Sequence, residues 1–249
     1  MPIRIESPFY IAFFCNGAGL VLSVLHWPKT AKGLVVSALV AVTAALFLIV
    51  DTHDQFPVYT LFESLLAAAW MIQCWLVFRP GRQPGLSEPE TWTWAGILIL
   101  FCVSFCLDKT PAASGFNHRY PWVIGFHGFR VATLATLLVA SAHFFAGRHL
   151  LKTVGAGASQ VLHSGRNYLL LAAVLFLTAE YCGLVWCQNG WGDIWHWSPG
   201  FFQSTLILLY LMAAFHVPPK WIHARRARNF FGAMGGLFVL AMMLLRSLI

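Results

Sequence analysis

The chain has 249 residues, of which 59% are hydrophobic and 10% are charged, and its mean hydropathy is +0.70. A soluble domain carries about 25% charged residues, so this composition excludes an ordinary soluble protein and predicts an integral membrane protein. The formal net charge of +7 does not indicate nucleic-acid binding, because the basic residues follow the pattern of membrane topology. We therefore expect membrane lipid as a partner, and no nucleic acid.

Eight apolar runs approach the length of a transmembrane helix, which needs about 20 residues. They lie at roughly 8–26, 33–50, 57–78, 92–107, 122–146, 167–187, 200–217 and 230–248. No linker or internal repeat separates them, so the sequence predicts an all-α fold in a single membrane domain over residues 1–249. No cleavable signal peptide is expected, because no small-residue cleavage site follows the first run.

The connectors between these runs alternate in charge. Eleven of the 16 Lys and Arg residues fall in the first, third, fifth and seventh connectors: Lys29, Lys32, Arg79, Arg82, Arg148, Lys152, Arg166, Lys220, Arg225, Arg226 and Arg228. Because positively charged loops stay on the cytoplasmic side, eight transmembrane helices with both termini outside are predicted. The expected location is the inner (plasma) membrane. The long connector at 147–166 is expected to be a plain basic loop, with a short surface helix as the alternative.

The ten histidines sort by predicted depth. His127 lies about one and a half turns into the fifth run, and His143 follows 16 residues later, about 24 Å deeper at 1.5 Å per residue. His216 ends the seventh run at the inner side, level with His143 and His26. Neutral imidazole is a strong ligand for haem iron, so these positions suggest iron sites near both faces. The alternative for any single histidine is a hydrogen bond to a neighbour. Three others are expected to be ordinary polar residues of inner loops: His149, His163 and His223.

Three charged residues lie inside apolar runs: Glu63, Arg130 and Glu180. An unpaired charge in a span costs about 2.5–3.5 kcal/mol on insertion scales, so each is expected to have a partner. Arg130 is three residues after His127 and therefore shares its helix face. A structural ion pair of Arg130 with Glu63 or Glu180 is the favoured interpretation, and contact with a haem propionate is the alternative.

Residues 191–199, Trp-Gly-Asp-Ile-Trp-His-Trp-Ser-Pro, place three tryptophans between two apolar runs. Tryptophan collects where apolar chain meets water at a membrane surface. The segment is therefore predicted to be an interfacial loop on the periplasmic or outer side.

Four segments carry a resemblance to a known family. Residues 186–199 resemble the family's tryptophan-rich WWD signature, and residues 56–65 (FPVYTLFESL) resemble its FPLSNLYESL segment. Residues 121–127 and 209–216 are similar to the segments that carry the family's first external haem-ligand histidine and its transmembrane histidine. The family is the cytochrome c assembly family of haem-handling membrane proteins, of the CcsA/ResC/CcmC type. The resemblance covers roughly residues 50–217, in the family's order.

The resemblance implies a platform that binds haem b at the outer face. His127 and His216 would be haem-iron ligands, and Trp191, Trp195 and Trp197 would form a flat aromatic wall. In the family, the CxxCH thiols of apocytochrome c are then joined to the haem vinyl groups. Arg130 and His143 complete the set of candidate cofactor-binding residues, and no catalytic residue is assigned.

The chain departs from the family pattern in four places. Residues 200–203 lack the family's acidic and tryptophan positions after the proline, and the CcsB-type partner region with its large external domain is missing. Ser198 stands where the family has the aspartate of its WWD signature. The family's second external histidine follows its last span, whereas this sequence ends at Ile249 without one. A site with two external histidines would therefore take another donor, for which the candidates are His118, His53, His196 and a partner subunit.

The first hypothesis is a haem-handling subunit of cytochrome c maturation that works with a CcsB-like partner. If it is an enzyme, it is at most part of a haem-ligation complex. The alternative is a subunit of a membrane electron-transfer complex that binds b-type haem and a quinone, next to a multihaem cytochrome subunit. An inner site of His216 with His143 or His26 would suit that alternative. A structural anchor without cofactor is the third hypothesis.

Overall fold

A computed structural model describes residues 5–25, 27–78, 88–113, 115–153, 157–192, 199–218, 220 and 224–248. Those residues form helices and connecting turns, with no strand among them. The helices are α1 (Glu6–Val24), α2 (Pro28–His53), α3 (Leu61–Phe78), α4 (Glu88–Phe105), α5 (Pro121–Thr153), α6 (Ala158–Trp191), α7 (Pro199–Phe215) and α8 (Ala224–Leu248), with a 3-10 turn at Phe116–Arg119.

Six of the helices are long and apolar enough to cross a membrane, and α4 and α7 are shorter apolar helices. Large apolar side chains cover their outer surfaces, such as Phe47 (65% exposed), Val40 (62%) and Leu177 (55%). Apolar side chains that face outward from long helices are expected where lipid is the solvent. The prediction of an all-α, multi-pass membrane protein is therefore confirmed, while the count of eight spans and the orientation stay predictions.

Local sequence explains where several helices begin and end. Helices α2, α5 and α7 begin at Pro28, Pro121 and Pro199, and proline suits the first helical turn because its missing N–H would have no partner there. Helix α6 ends at Trp191 and is capped by Gly192, which has a φ of 72° and donates its N–H to the Gln188 carbonyl at 3.0 Å. Glycine reaches this left-handed conformation without steric cost.

The predicted loop at 147–166 is wrong for most of its length. Helix α5 continues to Thr153 and α6 begins at Ala158. Leu150 is 5% exposed, and Ala158 and Val161 are 0% and 3% exposed, so the two helix ends bury apolar residues in a hairpin. The predicted loop residues His149 and His163 lie on these helices, at exposed positions.

The chain divides into two compact units, Met1–Tyr120 and Pro121–Ile249. The prediction of a single membrane domain stays a prediction. In the first unit, the Phe9 ring of α1 lies 5.6 Å from both Phe62 of α3 and Phe101 of α4, measured between centroids. A fully buried carboxamide pair also joins α1 to α3, because Gln73 Nε2 donates to Asn16 Oδ1 at 3.3 Å.

In the second unit, glycines let α8 approach α5 closely. A Cβ built on Gly236 would lie 2.9 Å from the Leu138 Cα, and one on Gly232 would lie 2.3 Å from the Phe144 ring. The Gly236 N–H donates to Ser141 Oγ at 3.0 Å. The Gly-x-x-x-Gly spacing at 232 and 236 is the small-residue pattern that brings membrane helices together.

Candidate functional site

A charged and polar cluster joins three helices near the start of α5. Arg130 Nη2 and Nε donate to Glu180 Oε1 of α6 at 2.8 and 3.2 Å. The guanidinium also donates from Nη1 to Gln203 Oε1 at 3.4 Å and from Nη2 to Ser204 Oγ, both on α7. The Arg130 and Glu180 side chains are 11% and 28% exposed. The predicted ion pair is therefore confirmed, with Glu180 as the partner.

A row of aromatic side chains runs from this cluster to the surface. The Arg130 Cζ lies 4.1 Å from the Phe126 ring centroid, a cation–π geometry. The Phe126 ring lies 6.0 Å from that of Trp186, which lies 5.4 Å from that of Trp191. Gly183 makes room for the row, because a Cβ there would lie 2.8 Å from the Phe126 ring. The row therefore provides a flat apolar surface next to the Arg130 guanidinium, whose charge is neutralised by Glu180.

His127 lies beside this row and one turn before Arg130. It is half-buried, on the same helix stripe as Val123 and Val131, which are 2% and 1% exposed. Its ring meets that of Phe126 edge to face at 5.1 Å. The predicted site residues His127 and Arg130 thus share one end of the unit with the aromatic row.

Of the three tryptophans predicted to form an aromatic wall, the structure describes Trp191. Trp191 ends α6 and is 53% exposed. Trp195 and Trp197 lie at 193–198, outside the described residues, as does the candidate donor His196. The exposed indole of Trp191 fits an interfacial position, and the remaining wall stays a prediction.

His216 lies just after the opposite end of α7. Its Nδ1 donates to the Met212 carbonyl at 2.9 Å, and its side chain is exposed. Since Nδ1 carries the proton, Nε2 holds the lone pair, which is the arrangement of an iron-ligating histidine. His216 follows Ser204 by 12 residues, or about 18 Å along a helix. It is therefore remote from the Arg130 cluster.

His143 occupies a packing position between α5 and α6. It is 1% exposed, its Nδ1 donates to the Val139 carbonyl at 2.8 Å, and its ring centroid lies 5.0 Å from that of Tyr168. A Cβ on Gly165 would lie 3.2 Å from the His143 Cβ. A porphyrin on this face would require α5 and α6 to separate, so His143 fits a ligand role less well than His216. The other inner candidate, His26, lies outside the described residues.

Glu63, in the first unit, caps the N-terminus of α3. It is 0% exposed, and its Oε2 accepts the Tyr59 and Thr60 N–H groups at 2.8 and 3.1 Å. Thr60 Oγ1 accepts the Glu63 N–H at 3.1 Å in return, which makes a capping box. Glu63 Oε1 accepts the Ala112 N–H at 2.9 Å. Glu63 therefore has a structural role at the start of α3.

The same end of the first unit holds His118 in a second network. His118 Nδ1 lies 2.8 Å from Gln55 Oε1, and its ring stacks on Tyr59 with centroids 4.0 Å apart. The Tyr59 hydroxyl donates to the His118 carbonyl at 2.6 Å. Tyr59 precedes α3, and burial, followed by the negative charge of Glu63, raises the pKa of its phenol to about 12. Its hydroxyl therefore stays protonated as a donor.

The sequence contained a signal for one of these networks but not for the other. The spacing Thr60-x-x-Glu63 before an apolar run is a capping-box pattern and could have identified the role of Glu63. Gln55 and His118 are 63 residues apart, and no local pattern pairs them. Gln203 and Ser204 were likewise unpredictable, because their meeting with Arg130 depends on how three helices pack.

The described residues contain no group of three or more His, Cys, Asp or Glu side chains that could hold a metal ion. No protein-family model matches the chain, and no curated protein matches it. The resemblance to the cytochrome c assembly family therefore remains an expectation from the motifs.

Proposed function

We propose that this protein binds haem b in the inner (plasma) membrane and presents it at the outer face during cytochrome c maturation. The observation that carries the proposal lies at one end of the second unit. There, His127, the Arg130–Glu180 pair and the aromatic row through Trp186 and Trp191 lie together. We propose that this end faces outside, that all eight helices span the membrane, and that a CcsB-like subunit is the partner.

Each group at this end has a defined task in the proposal. His127 would coordinate the haem iron, and the indoles of Trp186 and Trp191 would supply flat apolar surface for the porphyrin. Trp195 and Trp197, which lie outside the described residues, would extend that wall as predicted from the sequence. When bound, haem supplies the vinyl groups that receive the thiols of apocytochrome c. The chain itself holds and orients, so its enzymatic role is at most that of one part of a ligation complex.

Arg130 acts as a positioning residue in this proposal. Its guanidinium already makes charge-assisted bonds to Glu180 and bonds to Gln203 and Ser204. These bonds fix the start of α5 against α6 and α7 and hold His127 in place. Contact of Arg130 with a haem propionate would add to this set of bonds and is not needed to explain the buried charge.

The proposal is tested by deleting the gene and staining membrane and periplasmic proteins for covalently bound haem. We expect covalent haem to disappear from several c-type cytochromes. Wild-type protein and His149→Ala should restore it, whereas His127→Ala should not. His149 is the matched control, because it is an exposed histidine near the other end of the same helix. Normal cytochromes in the deletion strain would overturn the maturation role.

One observation favours the alternative function. His216 presents Nε2 because its Nδ1 is bonded to the Met212 carbonyl, so a second haem at the predicted inner face would suit a b-type electron-transfer subunit that also binds quinone. In that case, deletion would abolish one quinol-linked activity and leave the c-type cytochromes normal. A multihaem cytochrome subunit would then copurify with the protein in place of a CcsB-like one.

A further inference from the structure

The end of the second unit opposite the Arg130 cluster carries basic side chains, and no acidic residue of the described chain lies there. The second unit contains nine Lys and Arg residues but only two acidic residues, Glu180 and Asp193. Both acidic residues belong to the other end, where Glu180 pairs with Arg130. We propose that the basic end binds the phosphate of an anionic phospholipid through Arg148 of α5 and Arg228 of α8. This inference goes beyond the proposed haem-binding function and does not depend on it.

The contact between α5 and α8 fixes the position of these two arginines. A Cβ on Gly236 would lie 2.9 Å from the Leu138 Cα, and one on Gly232 would lie 2.3 Å from the Phe144 ring. Residue numbers therefore rise along α5 while they fall along α8, so the two helices run antiparallel. Of these two pairs, Phe144 with Gly232 lies closer to the basic end.

Arg148 and Arg228 both lie one turn beyond that pair. Arg148 follows Phe144 by four residues, and Arg228 precedes Gly232 by four. Residues four apart share a helix face and are about 6 Å apart along the helix axis. The two arginines therefore lie at one level, on the stripes where α5 and α8 face each other. Two guanidinium groups in this arrangement repel each other, and an anion bound by both removes the repulsion.

The part of the chain that the structure describes supplies no such anion. Neither Arg148 nor Arg228 pairs with a carboxylate there. Arg228 Nε is buried and has no hydrogen-bond partner among the described residues, and an unsatisfied buried donor of a charged group is costly.

The start of α8 has the same need for an anion. Three of its first five residues are arginines, and its first turn contains no acidic residue. The positive end of the helix dipole lies at this N-terminus and favours a negative charge, whereas the sequence places further positive charge there. A phosphate bound at Arg228 would satisfy the buried Nε and the helix N-terminus together.

Apolar side chains beside the arginines favour a lipid over a soluble anion. Phe230 and Leu151 are 54% and 48% exposed, and they follow Arg228 by two residues and Arg148 by three. Exposed apolar groups next to phosphate-binding groups match a molecule that carries both a phosphate and acyl chains. Basic pockets between membrane helices on the cytoplasmic side bind anionic headgroups in this way, and the planar fork of arginine suits phosphate oxygens.

The test measures lipid binding to the purified full-length protein in a neutral detergent. Phosphatidylglycerol, phosphatidylcholine with the same acyl chains and inorganic phosphate are each titrated, with bound lipid counted by native mass spectrometry and stability followed by thermal unfolding. We expect phosphatidylglycerol to bind in preference to phosphatidylcholine and to raise the unfolding temperature, and inorganic phosphate to leave that temperature unchanged. Equal binding of the two lipids would overturn the proposal. Equal stabilisation by inorganic phosphate would show a site for a soluble anion and overturn the assignment to lipid.

The variant Arg148→Gln/Arg228→Gln tests the two assigned residues. Each arginine near an anionic lipid strengthens binding about fivefold, so the double variant should bind phosphatidylglycerol about 25-fold more weakly. Arg246→Gln is the matched control, because Arg246 is an exposed arginine in the last turn of the same helix, at its other end. The control should bind like the wild type. An equal loss in the control would show that only overall charge matters and would overturn the site.

Two further measurements decide the proposal if the glutamine variant fails to fold. Arg148→Lys/Arg228→Lys keeps both charges and should still prefer phosphatidylglycerol, since lysine binds phosphate as a point charge. Loss of the preference in a folded lysine variant of normal stability would contradict the role of charge. In the wild type, higher salt should weaken the binding of phosphatidylglycerol because it screens the charges. A preference that does not change with salt would overturn the proposal whatever the variants show.

Discussion

At the residue scale, the Arg130–Glu180 pair shows how a charge is accommodated inside an apolar bundle. The guanidinium contacts a carboxylate, a carboxamide and a hydroxyl from two other helices, and it lies over the Phe126 ring. An unpaired charge at this depth would be costly. The pair therefore holds the helices at their observed spacing only while both partners are present.

Removing the carboxylate should destabilise the second unit. We expect Glu180→Ala to cost about 2 kcal/mol, less than the ~3–5 kcal/mol of a fully buried pair, because Glu180 is 28% exposed. Thermal unfolding of the detergent-solubilised protein measures the change. The double variant Arg130→Leu/Glu180→Leu should recover much of the loss, since it leaves no unpaired charge. Equal stability of Glu180→Ala and wild type would show that the pair contributes nothing.

The raised pKa of Tyr59 predicts that the stability of the first unit depends on pH. Its pKa is raised from 10.0 to about 12, so the folded state favours the neutral phenol. The resulting stabilisation is complete below pH 10 and is lost as the pH rises through about 12. Tyrosinate absorbance and unfolding measured across this range should show the effect in the wild type and a smaller one in Tyr59→Phe. Identical alkaline curves would contradict the assignment.

At the scale of helices, the close approach of α5 and α8 depends on the absence of side chains at two positions. A Cβ at Gly236 meets the backbone of α5, because the nearest atoms include the Leu138 Cα at 2.9 Å. Backbone cannot move aside as a flexible side chain does. This contact distinguishes Gly236 from glycines that have no neighbour.

Gly236→Ala should therefore destabilise the second unit by about 1–3 kcal/mol, the usual range for overpacking. Gly33→Ala is the control, because a Cβ there has nothing within 4 Å. In Gly33→Ala, the better helix propensity of alanine should leave stability equal or slightly higher. Thermal unfolding of both variants under the same conditions gives the comparison. A neutral Gly236→Ala would contradict the packing described for α5 and α8.

The helices themselves were largely predictable from sequence, whereas their lengths were not. Each of the eight predicted runs corresponds to one helix, because a run of apolar residues needs helical backbone bonding in lipid. The hairpin of α5 and α6 was missed because its basic residues suggested a loop, while Leu150 and Val161 bury an apolar seam between them. Of the site, the ion pair of Arg130 followed from the cost of a buried charge. The bond between Gln55 and His118 depends on tertiary contacts that no local pattern encodes.

At the scale of the whole molecule, the distribution of basic residues predicts the orientation of the chain in the membrane, and this orientation can be tested. The connector between α5 and α6 is predicted to be cytoplasmic, and the connector between α4 and α5 is predicted to be outside. Cysteines introduced at Ser159 and Thr110, both exposed, report on these two sides in a cysteine-free background.

A membrane-impermeant maleimide applied to intact cells should label Thr110→Cys and leave Ser159→Cys unlabelled. Both variants should react after the cells are permeabilised, which controls for accessibility of the thiol itself. Labelling of Ser159→Cys alone in intact cells would reverse the topology and place His127 and the aromatic row on the cytoplasmic side. The proposed delivery of haem at the outer face would then fail.

Binding of haem through His127 is the part of the proposed function on which the rest depends. The most direct measurement is the haem content and reduced optical spectrum of the protein purified from haem-replete membranes, together with His127→Ala and His149→Ala. We predict b-type Soret and α bands in the wild type and in His149→Ala, with clear loss in His127→Ala. A colourless wild-type protein, or equal haem in all three proteins, would contradict it.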